Sequence, residues 1–314
     1  MLSSIVIYLH QYLNIRAKQD IQTASRILKD SKNIAIGDDC AAIADGEGYL
    51  LLAAEGILPD LIESDPYFAG WSAIMVNVSD IYAMGGRPIA VVDTIWTQSI
   101  SETELIWQGM QAASKAYNVA IVGGHTNCHS SYNALSVAIL GRAKKIISSF
   151  SALSGDSLLL VSDFSGMIHP NYPFWNASTN KEPHILQQNL EILACLAEED
   201  LLDAGKDISM GGIVGTLLML METSNCGARL FLDRIVYPCG LSLEQWLVTF
   251  PSFGFLLSVR ANKVSQIQAR FQAQNLISQE IGIMTDTKQL CLEWAEQSTV
   301  FWDLSQENLT GFAP

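Results

Sequence analysis

The stretch Val76–Pro88, "VNVSDIYAMGGRP", decides the fold of this part of the chain. It has the pattern of a helix that stops at a glycine pair and leaves through a proline. The helix is apolar but carries Asn77 and Asp80, and at helical spacing these two residues share one face with Ala73. Because burying an unpaired carboxylate is strongly unfavourable, Asp80 is predicted to have a partner.

The composition predicts a globular protein without nucleic-acid or membrane partners. The 314 residues are 49% hydrophobic, enough for two domains with their own cores. A net charge of -14 argues against a general nucleic-acid binder. The apolar start, "MLSSIVIYLHQYL", is too short to cross a bilayer and predicts a surface or packing helix. The six cysteines form no C-x-x-C pair, which favours the reducing cytoplasm.

The order of predicted elements indicates a mixed α/β (α+β) protein of two domains. A polar segment at 143–156 separates residues 1–147 from residues 148–314. The strand "NVAIVGGHTN" is expected to break at its glycine pair, and 172–179 to form a long loop that could cover a site. Helices are predicted over Phe68–Met84, Ser101–Tyr117, His184–Glu199 and from about Ile208 to Gly227.

Acidic residues occur at predicted strand ends as well as in the helix. Asp38 and Asp39 follow "IAIG", and Glu55 follows "LLAA". Carboxylates that converge repel each other, and a hard cation such as Mg²⁺ relieves that repulsion. A plain hairpin turn explains Asp38–Asp39 equally well.

The segment "GGHTNCHS" allows two interpretations. His125, Cys128 and His129 have spacings that could bind a transition metal, although no fourth ligand is visible. A turn at Gly123 and Gly124 that presents backbone N–H groups to an anion is favoured.

The segment "DISMGG" is predicted to open a helix. Asp207 or Ser209 would be an ordinary N-cap there, and a glycine-containing helix start also suits a phosphate. The chain has neither the P-loop spacing nor the Rossmann glycine pattern, so a nucleotide would bind by another scheme.

Together these motifs resemble the aminoimidazole ribonucleotide (AIR) synthetase superfamily over about residues 34–235. The elements that carry the likeness follow one order: "IGDDCAAI", "GWSAIMVNVSDIYAMGGRP", "IVGGHTN", "SGDSLLLVSDFSG" and "DISMGG". The pattern is closest to the thiamine monophosphate kinase and selenophosphate synthetase branches, and it suggests an uncharacterised AIR synthase-related branch.

The resemblance implies a two-domain AIR synthase-like fold whose N-terminal sheets pair in a homodimer. It also implies ATP-dependent, Mg²⁺-assisted phosphoryl transfer to a small-molecule acceptor. Carried over onto this chain, the metal ligands are Asp38, Asp39, Glu55, Asp80 and Asp207. The other nucleotide-binding positions are Gly123, Gly124, Arg142 and Ser209, and the catalytic positions are Asp80, His125 and Asn77.

Several positions depart from the family pattern. Glu55 replaces an aspartate, while His125 and Met210 stand where acids are usual. The N-terminal segment also lacks the cysteine and the lysine of the selenium branch. These departures keep open a catalytically reduced, nucleotide-binding or structural homodimer. For Arg142, phosphate neutralisation and a salt bridge are both open.

Overall fold

The computed structural model describes residues 1–28 and 34–312, and these divide into two compact units. The first unit comprises Asp39–Ile146 and Ser178–Glu198. The second unit comprises Met1–Asp38, Ile147–Ala177 and Glu199–Pro314. One of the points at which the chain passes from one unit to the other therefore lies between the consecutive acids Asp38 and Asp39. Residues 32 and 33, which start the predicted "KNIAIG" strand, lie outside the described residues.

Helices of four to eighteen residues occur in both units. The first unit contains α4 (Pro59–Ser64), α5 (Pro66–Ala83), α6 (Ile100–Tyr117) and α7 (Pro183–Glu198). The second unit contains α1 (Leu2–Gln11), α2 (Leu13–Arg16), α3 (Gln22–Ser25), α8 (Gly212–Thr223), α9 (Leu243–Leu247) and α10 (Val264–Gln272). In the described ranges no helix is both long and apolar enough to span a membrane.

The strands form three sheets. The first unit holds β1 (Ala41–Asp45), β2 (Gly48–Gly56), β3 (Arg87–Trp96), β4 (Ala120–Asn127) and β5 (Ala134–Ala143) in the order β1-β2-β5-β3-β4. The strands of the second unit are β6 (Ser157–Ser162), β7 (Met167–Ile168), β8 (Phe174–Asn176), β9 (Ala204–Asp207), β10 (Gly227–Phe231), β11 (Phe250–Pro251), β12 (Gly254–Val259), β13 (Ile277–Thr285), β14 (Gln289–Trp294) and β15 (Gln297–Asp303). They form a seven-stranded sheet in the order β15-β14-β10-β13-β6-β12-β9 and a three-stranded sheet in the order β11-β8-β7.

Helix α5 is the central element of the first unit, and the predicted helix over Phe68–Met84 is confirmed. Asp65 caps it by accepting a 3.0 Å hydrogen bond from the backbone N–H of Phe68. Gly85, with φ +72°, reverses the chain after the helix. A side chain at Gly109 of α6 would collide with the α5 backbone, so this glycine lets the two helices pack closely. Residues 68–83 of α5 are buried throughout.

Helix α8 starts later than predicted. Asp207 is the last residue of β9, and its neighbour Ile208 donates to the carbonyl of Gly254 rather than entering a helix. Gly211 (φ +104°) and Gly212 (φ +64°) hold a left-handed backbone that an α-helix cannot continue through. Neither Asp207 nor Ser209 is therefore the N-cap, and Gly211 occupies that position without a side-chain cap.

Two further loop predictions are wrong. The strand "NVAIVGGHTN" does not end at its glycines, because β4 pairs in parallel with β3 up to Asn127, with a register shift at Val122 just before Gly123. The expected loop at 172–179 contains β8, which pairs with both β7 and β11. Short strands of two or three residues carry too little periodicity to be distinguished from a loop in sequence.

Candidate functional site

Two acids of the first unit lie together, although the sequence separates them by 41 positions. Carboxylate oxygens of Asp39 and Asp80 lie within 4.8 Å of each other. Asp39 lies in a bend just before β1 and is half-buried, whereas Asp80 is 6% exposed on α5. Two carboxylates this close repel each other unless a cation or a proton lies between them, and Mg²⁺ takes oxygen ligands of this kind. The donor set therefore fits a hard divalent cation.

Asn77 lies one turn before Asp80 but faces the interior. Its side chain is fully buried, and its Nδ2 donates a 2.8 Å hydrogen bond to the carbonyl of Ala73. Its Oδ1 has no hydrogen-bond partner among the described residues. The amide nitrogen of Asn77 is thus engaged with the backbone of its own helix.

Asp38 makes contacts of a different kind from those of Asp39. Its carboxylate accepts hydrogen bonds from the Ser148 hydroxyl at 2.6 Å and from the Ser149 backbone N–H at 3.1 Å. Both partners belong to the second unit. A carboxylate that accepts from a hydroxyl and a backbone N–H ties the two segments together, which is an anchoring role.

Asp207, a further predicted site residue, ends β9 in the second unit. Asp207 is 4% exposed, and Ser209 lies two residues further along. The Ser209 hydroxyl accepts a 3.2 Å hydrogen bond from Nζ of Lys18, 191 positions earlier. Lys18 was not predicted as a site residue, because no motif surrounds it in the sequence. Only the fold brings this lysine to the glycine-containing loop.

Residues 12–15 explain how Lys18 reaches that loop. The Tyr12 hydroxyl donates to the carbonyl of Val248 at 3.4 Å, and Ile15 is 1% exposed beside Gly215. The backbone carbonyl of Asn14 lies next to Gly211. The N-terminal segment therefore packs directly on the loop that precedes α8.

Glu55 and His125 lie on strands of the first unit. Glu55, on β2, is exposed, and its backbone carbonyl accepts a 2.9 Å hydrogen bond from the Ser136 hydroxyl. His125, on β4, is also exposed, and its ring centroid lies 5.6 Å from that of Trp96. Neither residue shares the close approach of Asp39 and Asp80.

The second glycine of the pair in β4, Gly124, has a steric role that was not predicted from the sequence. Gly124 pairs with Asp93 of β3, and a Cβ on Gly124 would collide with the Asp93 carboxylate. Asp93 is 2% exposed, and neither of its carboxylate oxygens has a partner on another described residue. Burial raises the pKa of the Asp93 carboxyl. Gly124 therefore leaves the space that a buried, weakly solvated acid occupies.

The sequence left two alternatives open for Arg142 and two for the segment that contains His125, Cys128 and His129. Arg142, at the end of β5, forms an ion pair with Asp45, which matches the salt-bridge alternative. Cys128 accepts a 3.3 Å hydrogen bond from the Thr103 hydroxyl. Within the part of the chain that the structure describes, no metal-ligand group contains His125, Cys128 and His129.

Two family models match the chain. The description "AIR synthase related protein, N-terminal domain" matches residues 37–143, and "AIR synthase related protein, C-terminal domain" matches residues 146–295. Together they include Asp38, Asp39, Asp80 and Asp207.

Relatives extend this similarity over nearly the whole chain. An uncharacterised protein of Synechocystis sp. is 57% identical over 99% of both chains. An uncharacterised protein of Methanocaldococcus jannaschii is 32% identical over 88% of this chain and 87% of its own length. A selenide, water dikinase of Carboxydothermus hydrogenoformans is 24% identical over 87% of this chain and 93% of its own.

Solved structures show the same fold. T. maritima PurL complexed with ADP superimposes with a TM-score of 0.75 at 15% identity and covers 93% of this chain. This chain spans only 49% of that protein's length. AaThiL complexed with AMPPCP and TMP gives a TM-score of 0.66 at 20% identity over 90% of this chain and 96% of its own. The expected two-domain fold is confirmed.

Proposed function

The chain belongs to the AIR synthase related protein family, and on that premise we propose that it catalyses ATP-dependent, magnesium-assisted phosphoryl transfer to a small-molecule acceptor. The observation that carries the proposal is the approach of Asp39 and Asp80 to within 4.8 Å. Support for the nucleotide comes from relatives of the same fold that were solved with ADP and with AMPPCP.

Asp39 and Asp80 would hold Mg²⁺ between them. Bound there, the ion supplies a positive centre that neutralises phosphate oxygens during transfer. Asp80 is fixed on a fully packed helix, so its carboxylate keeps its position without the ion. A ligand that is already held in place loses little conformational entropy when the ion binds. This suits the near-ideal geometry that Mg²⁺ demands.

The loop before α8 would bind phosphate. Lys18 and Ser209 present an ammonium group and a hydroxyl at one point, and both can donate to phosphate oxygens. Family resemblance assigns Asp207 to the metal, and we carry that assignment as part of the proposal. Asp38 is left out of the ligand set, because its carboxylate already accepts from Ser148 and Ser149.

The remaining predicted residues take supporting roles. His125, exposed beside Trp96, contacts the acceptor, and Glu55 assists at the metal through its longer side chain. We assign Gly124 to the space around Asp93 and Arg142 to its ion pair with Asp45. We assign Asn77 a structural role, in which its side chain bonds to the backbone of α5 and supports the position of Asp80.

The outer face of the five-stranded sheet would form a homodimer interface. Leu52, Leu140 and Val92 lie on one face of adjacent strands and are 47%, 37% and 45% exposed. A row of exposed aliphatic side chains across a sheet marks an interaction surface. A second copy of the chain supplies an identical, complementary face. None of the described cysteines forms a disulfide, which supports a reducing cytoplasm.

A second candidate is a nucleotide-binding homodimer with reduced catalysis. Met210 and His125 favour it, because each stands where the resemblance leads us to expect an acid. Loss of acidic ligands weakens metal-assisted transfer more than it weakens binding of the adenosine moiety.

The test is a phosphorylation screen that follows ADP release from Mg·ATP across small-molecule acceptors, with Asp80→Asn as the matched variant. Acceptor-dependent ADP release by the wild type and its loss in Asp80→Asn would support the proposal. Equal release from both proteins would remove the assigned site. Calorimetric binding of Mg·ATP without ADP release from any acceptor would favour the second candidate.

A further inference from the structure

The residues that precede Asp39 are held in place from two sides within the second unit. Gly37 adopts φ +118°, a left-handed conformation that side chains disfavour. A Cβ built on Gly37 would lie 2.6 Å from Cβ of Phe312. The Phe312 side chain therefore occupies the space in which a side chain of residue 37 would lie.

The segment that carries Phe312 is itself fixed by a buried acid. Glu222, on α8, is 3% exposed and accepts hydrogen bonds from the backbone N–H groups of Leu309, Thr310 and Gly311 at 2.8, 2.7 and 3.2 Å. The Thr310 hydroxyl also donates to Glu222. Several donors on one buried carboxylate make a strong, directional attachment.

A second contact holds the same segment on the opposite side. Nε2 of Gln22 donates to the carbonyls of Asn308 and Leu309 at 2.9 and 3.2 Å. Gly311 lies against the hydroxyl of Ser25, where a Cβ would lie 2.7 Å from Oγ. Residues 308–312 are thus attached to α8 and to α3 at once.

Asp38 completes the arrangement, because its bonds to Ser148 and Ser149 fix the residue that follows Gly37. Consecutive Cα atoms are about 3.8 Å apart, so fixing residues 37 and 38 limits where the backbone of Asp39 can lie. We infer that Phe312 is a positioning residue that sets the place of the metal ligand Asp39 through its contact with Gly37. The inference rests on the proposed function, because it takes Asp39 as a ligand.

Manganese binding measured by electron paramagnetic resonance tests this directly, without requiring turnover. Phe312→Ala should weaken Mn²⁺ binding about tenfold, the lower end of the loss expected when support for a ligand is removed. Phe312→Leu, which keeps an apolar side chain over Gly37, should restore most of the affinity. Hydrogen exchange at residues 36–41 should be faster in Phe312→Ala than in the wild type.

Phe231→Ala provides the matched control, since Phe231 is also a half-buried phenylalanine of the second unit. It should lower the melting temperature without changing Mn²⁺ affinity or exchange at 36–41. Wild-type affinity in Phe312→Ala would overturn the inference and leave the proposed function standing. A wild type that binds no Mn²⁺ would overturn both.

Discussion

The hydroxyl of Ser148 donates a 2.6 Å hydrogen bond to the carboxylate of Asp38, whereas the next residue, Asp39, directs a carboxylate oxygen to within 4.8 Å of Asp80. Two consecutive acids thus serve different purposes. One attaches its segment to residues 148 and 149, and the other lies close to Asp80, where we propose that a cation binds. This difference leads to distinct expectations for the two positions.

Asp38→Asn should affect stability more than metal binding. Asparagine keeps one acceptor oxygen for Ser148 and Ser149 but loses the charge, so the free energy of unfolding should fall by about 1–3 kcal/mol. Urea denaturation measures this change. Mn²⁺ affinity should fall less than in Asp39→Asn, because Asp38 only helps to place its neighbour, and a loss as large as that in Asp39→Asn would show that Asp38 is a ligand.

Asp93→Asn should change the pH dependence of stability. Burial raises the pKa of Asp93 in the folded state above its unfolded value of about 3.9, so the folded protein holds this proton more tightly. The resulting stabilisation is complete below pH 3.9, about the unfolded pKa, and is lost as pH rises through the folded pKa.

The stability gap between Asp93→Asn and the wild type should therefore widen in favour of the variant from about pH 4 towards neutral pH. Urea denaturation at a series of pH values measures the gap, and Asp60→Asn, at an exposed position of α4, is the control. A gap that does not change with pH would mean that Asp93 titrates normally in the folded protein.

Lys18→Met should weaken binding of ATP about tenfold or more, because a charge-assisted hydrogen bond to phosphate is lost. Binding of adenosine should be unaffected, since Lys18 would meet only the phosphates. Isothermal titration with both ligands measures the difference. Arg16→Met, an exposed cation on the preceding helix, controls for net charge. Equal weakening in both variants would indicate a long-range charge effect and remove Lys18 from the site.

Leu52→Glu should convert a homodimer into monomers, because it places a charge within the exposed aliphatic row of the sheet. Sedimentation velocity of the wild type and the variant measures the change. Glu55→Gln, an exposed position further along the same strand, is the control. A monomeric wild type would contradict the homodimer proposal outright.

The sequence predicted α5 and the acid on it well, because both signals are local. Within Val76–Pro88 the apolar periodicity indicates the helix, and the glycine pair followed by the proline indicates where it ends. Helices α6 and α7 were likewise predicted within a residue at most boundaries.

The errors occur where distant residues decide the local structure. The start of α8 depends on two left-handed glycines that pack against Asn14 and Val248, and nothing adjacent to them in sequence indicates this. Gly124 has the sequence pattern of a turn glycine, but it is present because Asp93, 31 positions earlier, occupies the space above it. The contact of Lys18 with Ser209 and the hydrogen bond of Asp38 with Ser148 likewise join residues that are far apart in the sequence.

The central claim is that Asp39 and Asp80 form one cation site, and titration of Mn²⁺ into the wild type, Asp39→Asn, Asp80→Asn and the double variant tests it most directly. We expect the wild type to bind, each single variant to lose at least about tenfold in affinity, and the double variant to lose little more than either single one. Wild-type affinity in both single variants, or independent losses that simply add in the double variant, would contradict the claim.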